Sequence, residues 1–141
     1  MNMPYLQVGA LPYRADSDGG VELLLVTSRG TGRWIIPKGW PMEGLSDAQA
    51  AAREAYEEAG LIGEIDETPV GSFTYDKVRK GVEAPSLVKV DVYLLRVERQ
   101  LAYWPEAGQR TFVWVSPEQG LTMLSDAGLR DLVGGLQFPL T

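Results

Sequence analysis

Apolar positions along the chain fall into short runs that turn-forming residues separate, and this pattern predicts a protein rich in β-strands. One run is apolar on both faces near Leu94, so we expect that strand in the centre of a sheet. Between the first two runs, the Asp-Ser-Asp-Gly-Gly sequence at 16–20 predicts a turn. The strands are predicted at residues 7–13, 21–27, 34–36, 70–75, 87–97 and 110–115.

The clearest helix is predicted over residues 46–59. Ser46 and Gln49 are spaced as a capping box at its start, in which each side chain accepts a hydrogen bond from the other's backbone amide. Gly60 follows the last helical residue and supplies the cap at the other end. Two shorter helices are predicted further along, one near residue 121 and one at 126–133.

The order of these elements is strands, helix, strands and then the two short helices. That order predicts an α/β fold in which a mixed β-sheet is flanked by helices. The sequence contains no internal repeat and no low-complexity linker that would divide it. We therefore expect residues 1–141 to form a single domain.

Carboxylates share one face of the predicted helix. On a helical wheel Glu54, Glu57 and Glu58 fall together, whereas the opposite side is mostly alanine, which predicts that the alanine side packs against the sheet. Arg53 is the single base in this helix and can pair with Glu57 four residues later. Because one base cannot neutralise three neighbouring acids, the choice lies between a solvated acidic face and a cation site.

The composition limits the chemistry open to such a site. The 141 residues include no His and no Cys, which excludes imidazole bases, thiol nucleophiles, disulfides and zinc–thiolate centres. Oxygen atoms must therefore hold any metal, which points to Mg²⁺, Mn²⁺ or Ca²⁺. Any general base must be a carboxylate, a Lys or a Tyr.

The net charge of −6 argues against binding to DNA, which needs a basic surface. The acidity is local, because residues 43–67 hold eight acids and one base while the rest of the chain is nearly neutral. No apolar run reaches the roughly 18 residues of a membrane span. The first residues show no secretory signal either, so we expect a cytoplasmic protein without a membrane partner.

A spaced pattern surrounds the acidic helix, and it consists of Gly39, Arg53, Glu54, Ala55, Glu57, Glu58, Gly60 and Leu61. This pattern resembles the Nudix box, G-x5-E-x7-R-E-U-x-E-E-x-G-U, in which U is apolar. The pattern departs at one position, where Leu45 stands in place of the first Glu. Glu43 is the nearby acid that could take over part of the role of that Glu.

The resemblance implies a Nudix-type α/β/α sandwich and a Mg²⁺-dependent enzyme, with Mn²⁺ as an alternative ion, that hydrolyses a pyrophosphate bond. It implies that Glu57 and Glu58 are the principal metal ligands and that Glu54 is a further ligand or the base that deprotonates water. It also implies that Gly39 offers its backbone carbonyl to a metal. Arg53 would orient the carboxylates.

Charged residues outside the box complete the predicted site. Many Nudix enzymes use one more acid from a loop, and we expect Glu106 to take this role ahead of Glu118. An exposed hairpin tip is the alternative interpretation of the bases at 77–80. The bases predicted to bind substrate phosphates are Lys38, Lys77, Arg79 and Arg110.

Aromatic residues could stack on a nucleobase, with packing in the core as the alternative. The candidates are Trp34, Tyr75, Trp104 and Trp114. The order of Trp34, the Pro-Lys-Gly at 37–39, the box, Trp104-x-Glu106 and Arg110 resembles the diphosphoinositol polyphosphate phosphohydrolase branch, whose members also tend to cleave diadenosine polyphosphates. Lys38 departs from that branch, because its eukaryotic members carry Gly there.

The leading hypothesis is therefore hydrolysis of a diphosphate bond in a small polyanion, either a diphosphoinositol polyphosphate or a dinucleoside polyphosphate. ADP-ribose, nucleoside triphosphates and capped RNA ends are alternative substrates for the same kind of enzyme. A Nudix-fold binding module without catalysis is a further alternative, and Leu45 is the feature that would support it. The sequence is compatible with a monomer or a homodimer.

Overall fold

The computed structural model of the protein describes residues 3–78, 81 and 83–139. The strands are β1 (Tyr5–Ala15), β2 (Val21–Thr27), β3 (Trp34–Ile35), β4 (Lys38–Gly39), β5 (Leu61–Ile65), β6 (Gly71–Lys77), β7 (Ser86–Gln100) and β8 (Phe112–Val115). The helices are α1 (Asp47–Ala59), α2 (Pro117–Met123) and α3 (Ala127–Gly134). None of the helices in these residues is long and apolar enough to cross a membrane.

The strands join into one mixed sheet of eight strands. β1 and β7 lie at its centre and run parallel, from the pair Tyr5 and Val88 to the pair Tyr13 and Arg96. The other strand pairings that the structure describes are antiparallel. The main order is β3-β2-β1-β7-β5, with β4 also on β1, β6 also on β7 and β8 also on β2. The central position predicted for the strand around Leu94 is confirmed.

Side chains alternate between two hydrophobic layers, as the period of a β-strand requires. In β7, Val90 and Val92 face the layer that α3 covers through Leu129, whereas Tyr93 and Leu95 face the layer under α1. β1 and β2 alternate in the same way. Helices therefore cover both faces of the sheet, and the predicted α/β/α sandwich is confirmed.

Helix α1 begins and ends where the sequence predicts. Ser46 accepts a hydrogen bond from the Gln49 amide at 3.1 Å, and Gln49 Oε1 accepts one from the Ser46 amide at 2.9 Å. Gly60 ends the helix in the left-handed conformation, with φ of 72°. The capping box and the glycine cap are thus both confirmed.

The face that α1 buries differs from the prediction. Glu54 and Glu58 are buried, whereas Ala52 and Tyr56 are only half-buried. The expectation that the carboxylates lie opposite the packed side was wrong for these two acids. The reason is that the sheet edge meeting this part of α1 offers polar partners, including the Lys38 amide, which donates to Glu58 Oε2 at 3.3 Å.

Two strands were not predicted from the sequence. β5 lacks an alternating apolar pattern, because Gly63 and Glu64 interrupt it. Its pairing with β7 shifts register between Ile62 and Gly63, and a Cβ at Gly63 would overlap the Arg96 carbonyl. β4 has only two residues, and antiparallel pairing with β1 defines it. Tertiary pairing therefore creates both strands.

Candidate active site

A cleft of about 350 Å³ opens beside the second half of α1. It is lined by acids, bases and aromatic side chains from several separate elements. Sheet pairing brings these elements together, since β4 lies against β1 and α1 packs against both. The lining residues are Gln7, Ser28, Arg29, Ile35, Lys38, Gly39, Trp40, Glu54, Glu58, Tyr75, Lys77, Glu106 and Arg110.

The backbone of Gly39 lies directly against the carboxylate of Glu54 in the wall of the cleft. A Cβ added at Gly39 would overlap the carboxylate of Glu54. The absence of a side chain at position 39 therefore lets this carboxylate lie against the backbone of β4. Three effects together raise the pKa of Glu54 to about 7. Burial is the largest, and the charges of Glu57 and Glu106 are the other two.

Glu58 is the more deeply buried acid, with 4% of its surface exposed. Its Oε2 accepts the amide of Lys38, and its Oε1 lies 3.6 Å from Arg110 Nε. Among the described residues, no donor forms a hydrogen bond with that buried Oε1. The pKa of Glu58 is raised to about 8. Burial is the largest cause of this rise, and the Arg110 guanidinium offsets part of it.

Arg110 connects the two carboxylates that come from different elements. Its Nε lies 3.4 Å from Glu106 Oε1 and 3.6 Å from Glu58 Oε1, and its Nη1 donates to the carbonyl of Thr27 at 3.1 Å. Only 11% of the side chain is exposed. Arg110 therefore serves as a countercharge for the acids in this structure, at the position where the sequence predicted a phosphate ligand.

Glu57 and Arg53 lie at the side of the cleft. Arg53 Nε donates to Glu57 Oε1 at 3.2 Å, which matches the i,i+4 pair expected from the sequence. Neither residue is among those that line the cleft. The Arg53 guanidinium also lies 5.1 Å from the centre of the Tyr56 ring. The carboxylate of Glu57 is thus held beside Glu54 but outside the cleft wall.

The donor set fits a hard divalent cation. The cleft offers the carboxylates of Glu54 and Glu58 and the backbone of Gly39, and one buried carboxylate oxygen has no hydrogen bond within the described residues. In that part of the chain, no group of three or more acids is arranged so that it could hold a metal ion. A hard divalent cation often keeps several waters and takes only one or two protein carboxylates.

The predicted phosphate-binding bases are only partly brought together. Lys38 and Lys77 line the cleft with Arg110, whereas Arg79 lies outside the described residues. Lys38 Nζ lies 4.8 Å from the centre of the Tyr75 ring, and burial lowers the pKa of Lys38 to about 8. Glu118 stands in the first turn of α2, exposed and not among the residues that line the cleft, whereas Glu106 lines it.

Of the four aromatic candidates, Tyr75 lines the cleft. Trp34 packs against the core, and Trp114 is half-buried with the Arg14 guanidinium 3.7 Å from its ring. Trp104 packs on the end of α1, where its indole Nε1 donates to the Glu58 carbonyl at 3.2 Å. Packing is therefore the role that the structure gives these three tryptophans.

Sequence reasoning did not find five residues of the cleft wall, which are Gln7, Ser28, Arg29, Ile35 and Trp40. Trp40 is 44% exposed, and its ring meets that of Tyr5 edge to face at 6.2 Å between centroids. Its position directly after Gly39 is the signal that could have identified it. Arg29 lies in the loop between β2 and β3 and carried no such signal.

A second chamber of about 340 Å³ adjoins the cleft and shares Ser28, Ile35, Lys38 and Tyr75 with it. Its charged residues are balanced between the two signs, and its aromatic surface comes from β6. The further lining residues are Arg33, Phe73, Asp76, Ser125, Asp126, Ala127 and Leu129.

Leu45 lies outside the cleft. Its side chain is 41% exposed and lines a separate groove with Gln49 and Ala52 on the outer side of α1. Glu43 is exposed and does not line the cleft either. The departure from the box therefore leaves the carboxylates in the cleft unchanged.

Comparison with known proteins agrees with this geometry. The NUDIX domain family matches residues 3–132. The chloroplastic Nudix hydrolase 21 of Arabidopsis thaliana is 31% identical over 128 residues, which cover 88% of this chain and 62% of that protein. Human diphosphoinositol polyphosphate phosphohydrolase 3-beta is 30% identical over 120 residues, which cover 84% of this chain and 68% of that protein.

A solved binary complex of the Ap4A hydrolase from C. elegans has the same fold. The two structures superpose with a TM-score of 0.67 and 26% sequence identity, over 92% of this chain and 93% of that one. The chain belongs to the Nudix family. It spans about 62% of the length of the first curated relative that it matches.

Proposed function

We propose that this protein is a Mg²⁺-dependent hydrolase that cleaves a diphosphate bond in a polyanionic small molecule. The observation that carries the proposal is the buried pair Glu54 and Glu58 beside Gly39, in one cleft with several bases. Buried carboxylates with raised pKa values are costly unless a cation neutralises them. The match of the NUDIX domain family to residues 3–132 also supports the proposal.

In the proposed reaction a water molecule attacks one phosphorus of the diphosphate, and the bond from that phosphorus to the bridging oxygen breaks. A divalent ion, with Mn²⁺ as an alternative to Mg²⁺, would neutralise phosphate charge and polarise the phosphoryl group. Glu58, which lines the cleft, would hold the ion together with the Gly39 carbonyl, and Glu57, which lies outside the cleft wall, remains a ligand predicted from the sequence. Arg53 would keep Glu57 oriented through their ion pair.

Proton transfer requires a base close to the attacking water. Glu54 suits this role, or that of a further ligand, because its pKa of about 7 lies near neutral pH. Glu106 is the additional acid of the cleft. Lys38, Lys77 and Arg110 would bind the phosphates, and Arg79 remains a prediction from the sequence.

Two substrate classes follow from the named relatives, diphosphoinositol polyphosphates and dinucleoside polyphosphates. The second chamber favours the dinucleoside polyphosphate. Asp76 and Asp126 balance the positive charges of Arg33 and Lys38 there, so the chamber has no excess of bases for further phosphates. Tyr75 offers an aromatic surface for a nucleobase.

A substrate panel tests the proposal. The protein is incubated with Mg²⁺ and diadenosine tetraphosphate, a diphosphoinositol polyphosphate, ADP-ribose, a nucleoside triphosphate or a capped RNA, and the products are separated. We expect turnover that chelation of the metal abolishes, with diadenosine tetraphosphate preferred and Glu58→Gln inactive. A folded protein that turns over none of these compounds would instead be a binding module. The cytoplasmic location of the protein and its state as a monomer or homodimer remain predictions from the sequence.

A further inference from the structure

The segment that follows β7 crosses the C-terminal end of α1. Helix ends leave their last carbonyls without partners inside the helix. Here the backbone amide of Glu106 donates to the Glu57 carbonyl at 2.9 Å, and the indole Nε1 of Trp104 donates to the Glu58 carbonyl at 3.2 Å. Both acceptors belong to residues whose side chains we assign to the site.

The next two carbonyls of this helix end accept hydrogen bonds from the last residue of β7 and from the first residue of the segment. Gln100 Nε2 donates to the Ala59 carbonyl at 3.0 Å, and the Leu101 amide donates to the Gly60 carbonyl at 2.8 Å. Four successive carbonyls thus accept hydrogen bonds from residues 100–106. Such a continuous set fixes the segment relative to the helix more firmly than a single contact would.

Close packing also holds the Trp104 ring in place. A Cβ at Gly60 would lie 2.6 Å from Trp104 Cε3, so the ring lies directly on the glycine that ends the helix. The same ring meets Phe112 of β8 edge to face, with 6.0 Å between the ring centroids. The indole is therefore held between α1 and β8, and it does not line the cleft.

This anchoring determines where the acid of the loop stands. Glu106 is two residues from Trp104 and is tied to the helix turn that carries Glu57 and Glu58. Its carboxylate lies 3.4 Å from Arg110 Nε, which in turn lies 3.6 Å from Glu58 Oε1. If the segment moved away from the helix end, Glu106 would move away from Arg110 and Glu58, whereas Arg110 would stay bonded to the Thr27 carbonyl of β2.

We propose that Trp104 is a positioning residue that holds Glu106 in register with Arg110 and the carboxylates of α1. The effect on turnover rests on the proposed function, whereas the effect on the loop does not. Residues that orient functional groups without touching substrate commonly contribute about 10- to 100-fold to activity. Trp104→Phe is the sharpest test, because phenylalanine keeps an aromatic ring on Gly60 and removes the N–H donor.

The matched control is Tyr103→Phe, which changes a neighbouring side chain of the same segment that is 88% exposed. Amide hydrogen exchange of the metal-free protein is measured by NMR for each variant. In Trp104→Phe we expect the Glu106 amide to exchange about threefold to tenfold faster, as the loss of a hydrogen bond predicts. The amides within α1 and the Tyr103→Phe variant should keep the wild-type rates.

Turnover of the preferred panel substrate supplies the second measurement. We expect Trp104→Phe to lower kcat about tenfold and to leave KM within about twofold, because the indole does not line the cleft. Wild-type exchange at Glu106 in a folded Trp104→Phe protein would overturn the proposal, and so would faster exchange with unchanged kcat. Absence of wild-type turnover would refute the proposed function, and the exchange rates would still decide whether Trp104 anchors the loop.

Discussion

Replacing Glu58 with glutamine should change how the stability of the metal-free protein depends on pH. Glu58 is 4% exposed, and burial raises its pKa from 4.5 to about 8. Between these two pH values the carboxyl group of Glu58 is therefore protonated in the folded protein and ionised in the unfolded chain. The contribution of this acid is therefore fully present below pH 4.5 and is lost as the pH rises through 8.

The size of this effect follows from the shift. One pKa unit corresponds to about 1.4 kcal/mol, so the wild-type protein should lose on the order of a few kcal/mol in the free energy of unfolding between pH 5 and pH 8. Glu54, with a pKa raised to about 7, adds to the loss in the same direction. Lys38 does not reverse it in this range, since its pKa is lowered to about 8 and its effect begins above that pH.

Urea denaturation at pH 5 and pH 8, with a chelator present, measures the two free energies of unfolding. We expect Glu58→Gln to lose markedly less stability than the wild type over this interval, because the neutral amide has no proton to release. Glu118→Gln, which changes an exposed acid outside the cleft, should keep the wild-type dependence. The reasoning is refuted if Glu58→Gln and the wild type lose equal amounts. At pH 8, added Mg²⁺ should stabilise the wild type and should stabilise Glu58→Gln much less.

Three further substitutions test other parts of the site. Gly39→Ala should lower the affinity for Mn²⁺ by about tenfold or more, because the new Cβ would displace the Glu54 carboxylate. Electron paramagnetic resonance measures the bound Mn²⁺, and wild-type affinity would show that this carboxylate does not contribute to metal binding. Lys38→Gln should raise KM for the panel substrate by about tenfold, because it removes a charge-assisted hydrogen bond to phosphate. If steady-state kinetics give an unchanged KM, Lys38 does not bind the substrate. Leu45→Glu restores the residue of the box and should leave kcat within about twofold, because position 45 lies outside the cleft; a large gain in kcat would show that the departure had cost activity.

Local sequence signals predicted the boundaries of α1 well. Ser46, Gln49 and Gly60 act through bonds to residues a few positions away, so their spacing alone carries the information. The strands of the sheet centre were found for a similar reason, because their apolar runs are long and continuous. By contrast, β4 and β5 exist through pairing with β1 and β7, which no local pattern encodes.

The same distinction explains the outcome for the site. The box residues are close in sequence, so the spacing could group Glu54 with Glu58. The wheel could not show that both acids are buried, because their partners are the Lys38 amide and Arg110, which lie 20 and 52 residues from Glu58. The role of Arg110 as a countercharge was likewise hidden, since it depends on contacts with Thr27 and Glu58, which are distant in sequence.

These burial patterns explain how one helix can be both a structural element and a reactive one. Five alanines of α1 are buried, and their small side chains allow close approach to the sheet. That close approach also draws Glu54 and Glu58 out of solvent, which raises their pKa values and destabilises the charged forms. A cation that binds these carboxylates recovers the lost solvation, so the affinity for metal and the instability of the metal-free site have the same physical origin. Helix packing, and not the number of acids alone, therefore buries the two carboxylates that we assign to the proposed metal site.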